Sequence, residues 1–160
     1  MIFQHFALMA RKTAFENVAT PLKFWGYKSF ETEKRVRELL NLVGLESKAK
    51  SYPSELSGGM KKRAALARAL VLSPRVLFLD EPNSGLDPVS SRQMDALIKE
   101  LRDSIGVTVV MVTHDADSIF DILDRFLIID NKKIAFEGDI KELEHLENNP
   151  LEELFKMRKK

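Results

Sequence analysis

Three short stretches carry residue types suited to phosphate chemistry. Ser57-Gly58-Gly59 opens a run that is first basic and then Ala-rich, Met60 to Leu70. A Ser-Gly-Gly turn at a helix start presents backbone N–H groups and a hydroxyl to a phosphate, and the positive helix end favours the anion. The apolar run Val76-Leu77-Phe78-Leu79 ends in Asp80-Glu81. It reads as a buried strand whose C-terminal edge holds a metal-binding carboxylate and a second, catalytic one. A third run, Val107 to Val112, ends in Thr113-His114-Asp115, which puts His114 where α/β sheets place ligands. Each stretch also has a plainer reading: an ordinary N-cap, a helix-capping turn and a surface histidine.

The elements that must position these residues alternate. The segments Val76–Leu79, Val107–Val112 and Phe126–Ile129 are short and apolar, and they read as strands of a parallel sheet buried on both faces. Between them lie helical patterns at Ser90–Ser104 and Ala116–Leu123, so the fold class is α/β with a parallel sheet core. Upstream, Glu31–Leu42 is an amphipathic helix with Gly44 as its C-cap, while Thr13–Trp25 is a weaker helix interrupted by Pro21. A helix is expected from Ser57 to about Leu72. Asp87-Pro88 makes a helix start, with Asp as N-cap and Pro as first residue. Asn131-Lys132-Lys133 turns a hairpin into a last strand, Ile134–Glu137, before terminal helices that include Leu151–Met157.

Composition narrows the function classes. With 25 basic residues scattered among 24 acidic ones and a net charge of +1, nothing global argues for nucleic-acid binding. The chain has no cysteine, which excludes disulfides and thiolate metal sites and agrees with a reducing compartment. No apolar run approaches the ~20 residues that span a bilayer. Any membrane role therefore runs through a partner that supplies the spans.

The paired stretches Leu56-Ser57-Gly58-Gly59-Met60 and Val76 to Pro82 resemble the signature and Walker B motifs of ABC-type ATPases. The family's D-loop is matched by Pro82-Asn83-Ser84-Gly85-Leu86-Asp87-Pro88, its switch histidine by His114, and its Q-loop by Phe3-Gln4-His5-Phe6. The resemblance implies a P-loop NTPase-like ABC ATPase domain over residues 1–160. Its helical subdomain would cover about 6–55, its signature, Walker B, D-loop and H-loop core about 56–138, and its C-terminal helices about 139–160. It implies ATP with Mg²⁺ as cofactor. Asp80 would orient the metal through water, with Gln4 beside it, and Glu81 would act as general base. His114 would contact the γ-phosphate, and Ser57, Gly58 and Gly59 would reach the nucleotide of a second subunit. Asp87 would help couple the two sites. Two partners follow: a second ATP-binding subunit, as homo- or heterodimer, and a transmembrane permease subunit at the cytoplasmic face of the inner membrane. The permease would dock at Ala7–Pro21, with Phe6, Leu8, Phe15, Phe24 and Trp25 either in that groove or in ordinary core.

One family element is missing from the 160 residues: no G-x-x-x-x-G-K-[ST] phosphate loop occurs. The expectation is an N-terminally truncated domain, inactive or impaired by itself. Its alternatives are a partner that lends its signature motif to a complete subunit, and a non-functional gene fragment. Subfamily resemblance divides along the chain. Ile2–Leu22 looks like methionine-type importers, and Leu56–Arg68 onward looks like phospholipid-trafficking transporter ATPases, with Met60 as the main pointer.

Overall fold

Capping residues delimit most of the helices. The computed structural model of the protein describes residues 7–145. These divide into two compact units between Thr113 and His114. Gln4, Phe6 and the helix expected at Leu151–Met157 lie outside the described residues.

In the first unit, helix α1 spans Ala14–Phe24. Thr13 caps it: its hydroxyl accepts from the Glu16 N–H while the Glu16 carboxylate accepts from the Thr13 N–H at 2.8 Å. Pro21 does not interrupt this helix, contrary to expectation. The helix continues to Phe24, and the Pro21 carbonyl accepts from the Trp25 N–H. Pro21 removes one N–H donor from the ladder without ending the helix, which runs three residues further to Phe24. Asn17 is fully buried and its Nδ2 donates to the carbonyls of Met9, Lys12 and Thr13, which fastens the incoming segment to α1.

Helix α2 spans Ser29–Leu42 and stops as the sequence indicates: Gly44 adopts φ +69° and the Leu45 N–H donates back to the Leu40 carbonyl. Two 3-10 turns, Glu46–Lys48 and Pro53–Glu55, lead to α3, Gly58–Leu70. The three helices pack together through Val18, Leu22, Val36, Leu39, Leu40 and Leu66, all essentially inaccessible. Strand β1, Val76–Asp80, pairs in parallel with β2, Thr108–Val112. Between them α4, Pro88–Ile105, runs from the Asp87 N-cap to Gly106 at φ +70° and buries Met94, Leu97, Ile98 and Leu101.

The expectation that these strands are buried on both faces is corrected. Leu77 and Leu79 are buried, but Val76, Phe78, Val110 and Val112 are exposed. Residues paired in register point to the same side, and Phe78 is level with Val110 and Asp80 with Val112. One face of the pair is thus an open apolar surface. An apolar run without alternation looks the same in sequence whether one face is covered or two.

The second unit holds α5 (Ala116–Ile122), β3 (Phe126–Asp130), β4 (Lys133–Gly138) and α6 (Ile140–Glu144). Strand β3 is not a strand of the parallel sheet: it pairs antiparallel with β4. The two-residue turn Asn131-Lys132, with φ of 46° and 61°, puts both residues in the left-handed region, the arrangement whose twist matches that of the flanking strands. Phe126 packs on Phe136 with ring centroids 5.4 Å apart.

Candidate functional site

The Ser57-Gly58-Gly59 turn forms as its residue types dictate. Ser57 is the N-cap of α3, in extended backbone, and its Oγ accepts from the Met60 N–H at 3.2 Å. Helix geometry leaves the Gly58 and Gly59 N–H groups outside the intrahelical ladder. Ser57 and Gly58 are exposed. Leu86 lies over both glycines: a Cβ added to either would sit 3.9 Å from its Cδ2. The turn therefore offers bare amides at the positive end of a helix, on the rim of a shallow pocket of about 210 Å³ lined also by Met60, Arg63, Gln93 and Met94. Arg63 is not loose there, because its guanidinium donates to the Val43 carbonyl and to Gln93 Oε1.

Asp80 and Glu81 stand where β1 ends, both half-buried. Glu81 has φ +48°, a left-handed conformation rare for a residue with a side chain and worth about 1–3 kcal/mol of strain. Such a conformation persists only where neighbours enforce it. Two do. The Glu81 N–H donates to the Val112 carbonyl at 2.9 Å, extending the ladder one residue past β1. From α3, the buried Lys62 ammonium donates to the carbonyls of Pro82 and Ser84 at 2.6 Å each and of Glu81 at 3.4 Å. Burial pushes the Lys62 pKa down, and the Glu81 carboxylate pushes it back up.

Past that turn, Asn83 Nδ2 donates to the buried Asp95 carboxylate at 2.7 Å, which fixes the loop to α4. Asp87 caps α4: its Oδ1 accepts from the N–H groups of Val89 and Ser90 at 3.0 Å, and its Oδ2 accepts from the Ser90 hydroxyl. Those Ser90 bonds, side chain first, and then the Val89 N–H hold the Asp87 carboxyl below its usual pKa. The structural role expected for Asp87 is therefore in place.

The structure gathers the site residues unevenly. Asp80, Glu81 and Asp87 share one short turn, tied by Lys62 to the helix that Ser57, Gly58 and Gly59 open. His114 is exposed and begins the second unit. Gln4 lies outside the described residues, and Ala7, soon after it, has its carbonyl held by Arg68 of α3 at 2.7 Å. Lys62 and the Asn83–Asp95 pair escaped the sequence reading. For Lys62 a signal existed: it shares one helical stripe with the buried Leu66 and Leu70. No cluster of three or more metal-ligating side chains occurs among the described residues. A lone strand-end carboxylate suits Mg²⁺, which is held by one or two carboxylates with water and substrate phosphates rather than by an all-protein cage.

A family description reading "ABC transporter" matches residues 1–84, just over half the chain and inclusive of the Ser57 turn and the Asp80-Glu81 pair. The chain belongs to the ABC transporter family. Curated relatives include the methionine import ATP-binding protein MetN of Wolinella succinogenes, 49% identical over 143 residues, or 89% of this chain and 47% of that protein. MetN of Francisella tularensis subsp. holarctica is 51% identical over 138 residues, covering 86% of this chain and 39% of that protein. The chain thus spans about half the length of the curated relatives it matches. Among solved structures, the ATP-binding cassette MJ0796 in a dimeric post-hydrolysis state with ADP and Pi superposes with a TM-score of 0.74 at 35% identity. That match covers 87% of this chain and 61% of the other, and a second dimeric structure of MJ0796 gives 0.75. The ABC ATPase fold follows. These MetN matches extend across both halves of the chain, and none of these relatives is a phospholipid-trafficking ATPase.

Among the described residues no helix is long and apolar enough to cross a membrane.

Proposed function

We propose that the chain is the ATP-hydrolysing part of an ABC importer's ATP-binding subunit, of the methionine-import class. The observation that carries this reading is the strained Glu81 turn at the end of a parallel strand, locked by Lys62 to the helix that Ser57 caps. The class rests on MetN relatives at about half identity.

In this reading Glu81 takes a proton from the attacking water, and its fixed backbone spares the reorganisation a mobile base would need. Asp80 holds Mg²⁺ when MgATP is bound; the metal supplies neutralisation of phosphate charge. The amides of Gly58 and Gly59 and the Ser57 hydroxyl bind the terminal phosphate carried by a second ATP-binding subunit, which makes dimerisation part of the mechanism. His114 would contact the γ-phosphate, Gln4 would help Asp80 hold Mg²⁺, and Asp87 would couple the paired sites through the start of α4. A permease subunit supplies the membrane spans, with this chain peripheral on the cytoplasmic face. The cargo class follows the MetN relatives.

The test is MgATP hydrolysis by the chain in its assembled transporter, comparing wild type with Glu81→Gln. A base that contributes by proton transfer is worth about 10²–10⁴-fold, so turnover is expected to fall by that factor while ATP-bound dimers accumulate. Turnover equal to wild type removes Glu81 as the base, and a wild-type transporter without ATPase activity removes the functional reading itself.

A further inference from the structure

A lysine ammonium is costly to bury, and Lys62 is only 5% exposed. It donates to three main-chain carbonyls of one turn, Pro82 and Ser84 at 2.6 Å and Glu81 at 3.4 Å. Three acceptors match the three N–H groups of an ammonium. The helix that carries Lys62 is fixed by its own packing. Ala64, Ala65, Leu66 and Leu70 are buried, and the neighbouring Arg63 donates elsewhere, to the Val43 carbonyl. Glu81 is the opposite case, a residue at an unfavourable φ of +48°. Its N–H is held by the Val112 carbonyl of β2, and its own carbonyl accepts from the Ser84 N–H and from Lys62. A turn closed only on itself could pivot about that one bond to β2. Donation from α3 to Pro82 and Ser84, on the far side of Glu81, opposes the pivot.

We infer that Lys62 is a positioning residue for hydrolysis: it holds the Glu81 main chain at the angle from which the carboxylate meets the attacking water. The inference rests on Glu81 being the base. Relaxation of Glu81 from φ +48° toward the ordinary negative range would redirect its side chain. A misplacement of about 1 Å at a reacting group costs on the order of 10²-fold in rate. Filling space beside the turn would need only an apolar stem. The ammonium adds donors aimed at the carbonyls that set the Glu81 backbone, and that difference is what a substitution can read.

The test is steady-state MgATP hydrolysis by the full chain in its assembled transporter. Lys62→Met keeps the bulk and removes the donors. Its kcat is expected to fall about 10²-fold, with KM for MgATP within about twofold of wild type. Lys62→Gln keeps an amide donor on a stem one bond shorter and should recover part of the loss. A double-mutant cycle decides between positioning and general structural damage. On a Glu81→Gln background no base remains to be aimed, so Lys62→Met should slow hydrolysis by less than about twofold further. General damage would lower both backgrounds alike. Circular dichroism melts check folding, and Lys62→Gln takes the place of Lys62→Met in the cycle if the latter is unfolded at the assay temperature. A folded Lys62→Met with wild-type kcat overturns the inference. So does a raised KM at unchanged kcat, or a loss as large on Glu81→Gln as on wild type. Wild-type turnover in Glu81→Gln removes the base itself, whereas a slow Glu81→Gln beside an unaffected Lys62→Met removes only the role of Lys62.

Discussion

The helical bundle and the parallel strand pair of the first unit are built from similar apolar residues and treat them oppositely. In α1, α2 and α3, Val18, Leu22, Val36, Leu39, Leu40 and Leu66 are sealed from water. In β1 and β2, Val76, Phe78, Val110 and Val112 face it. A helix hides one stripe and so can finish its burial with two neighbours, whereas a strand has two faces to cover, and of this pair one face stays exposed. Asp80 and Glu81, which the proposed function relies on, stand on the less protected element, and Lys62 ties that element to the bundle.

Breaking the bundle should have the largest effect on stability. Leu40→Ala removes a wholly buried side chain, and chemical denaturation should show a loss of about 2–5 kcal/mol. A loss under about 1 kcal/mol would mean the bundle is as loosely packed as the strand pair. Next comes the tie itself. Lys62→Met keeps the bulk but removes three donations to the turn, with an expected cost of about 1–3 kcal/mol. The sharper reading is hydrogen exchange at the Ser84 and Leu86 amides, which close the turn onto Glu81 and Asn83. Exchange there should accelerate while the amides of α2 keep their protection; unchanged exchange at Ser84 and Leu86 would show that the turn holds itself. Phe78→Ser on the open face should shift stability by less than about 1 kcal/mol. A larger loss would mean that face is covered.

The smallest effect is a pH dependence. Asp87 and Glu16 both accept cap hydrogen bonds that hold their carboxyls below the ordinary values of 3.8 and 4.5. The folded chain binds those protons less tightly than the unfolded one. Their stabilisation is complete above the ordinary values and drains away as pH falls through the depressed ones. Acid titration of Asp87→Asn should show a shallower loss in that window, and a curve superimposable on wild type would remove the cap from the account.

Local signals were the legible ones. The Asp87-Pro88 start of α4 was readable because caps act within a few residues, as were Gly44 and the Asn131-Lys132-Lys133 turn, whose last residue the structure gives to β4. The Ser57 turn and the acidic pair at the end of β1 were visible through residue type and order. Three things were not. The open face of β1 and β2 was hidden because Val76-Leu77-Phe78-Leu79 carries no alternation of apolar and polar to reveal which side is wet. The left-handed backbone of Glu81 was hidden because the chain places no glycine there; tertiary contacts impose the conformation. Lys62 was masked by its neighbours Lys61 and Arg63, since three consecutive cations read as a solvated face until one proves buried.

The Lys62 ammonium sits among carbonyl oxygens as a potassium ion sits in a coordination cage, except that this cation is covalently tethered to a helix. A free ion would let its cage drift. A tethered one holds the Glu81 turn at a fixed reach from α3, so the spacing between the helix that Ser57 opens and the end of β1 is set by the length of one side chain.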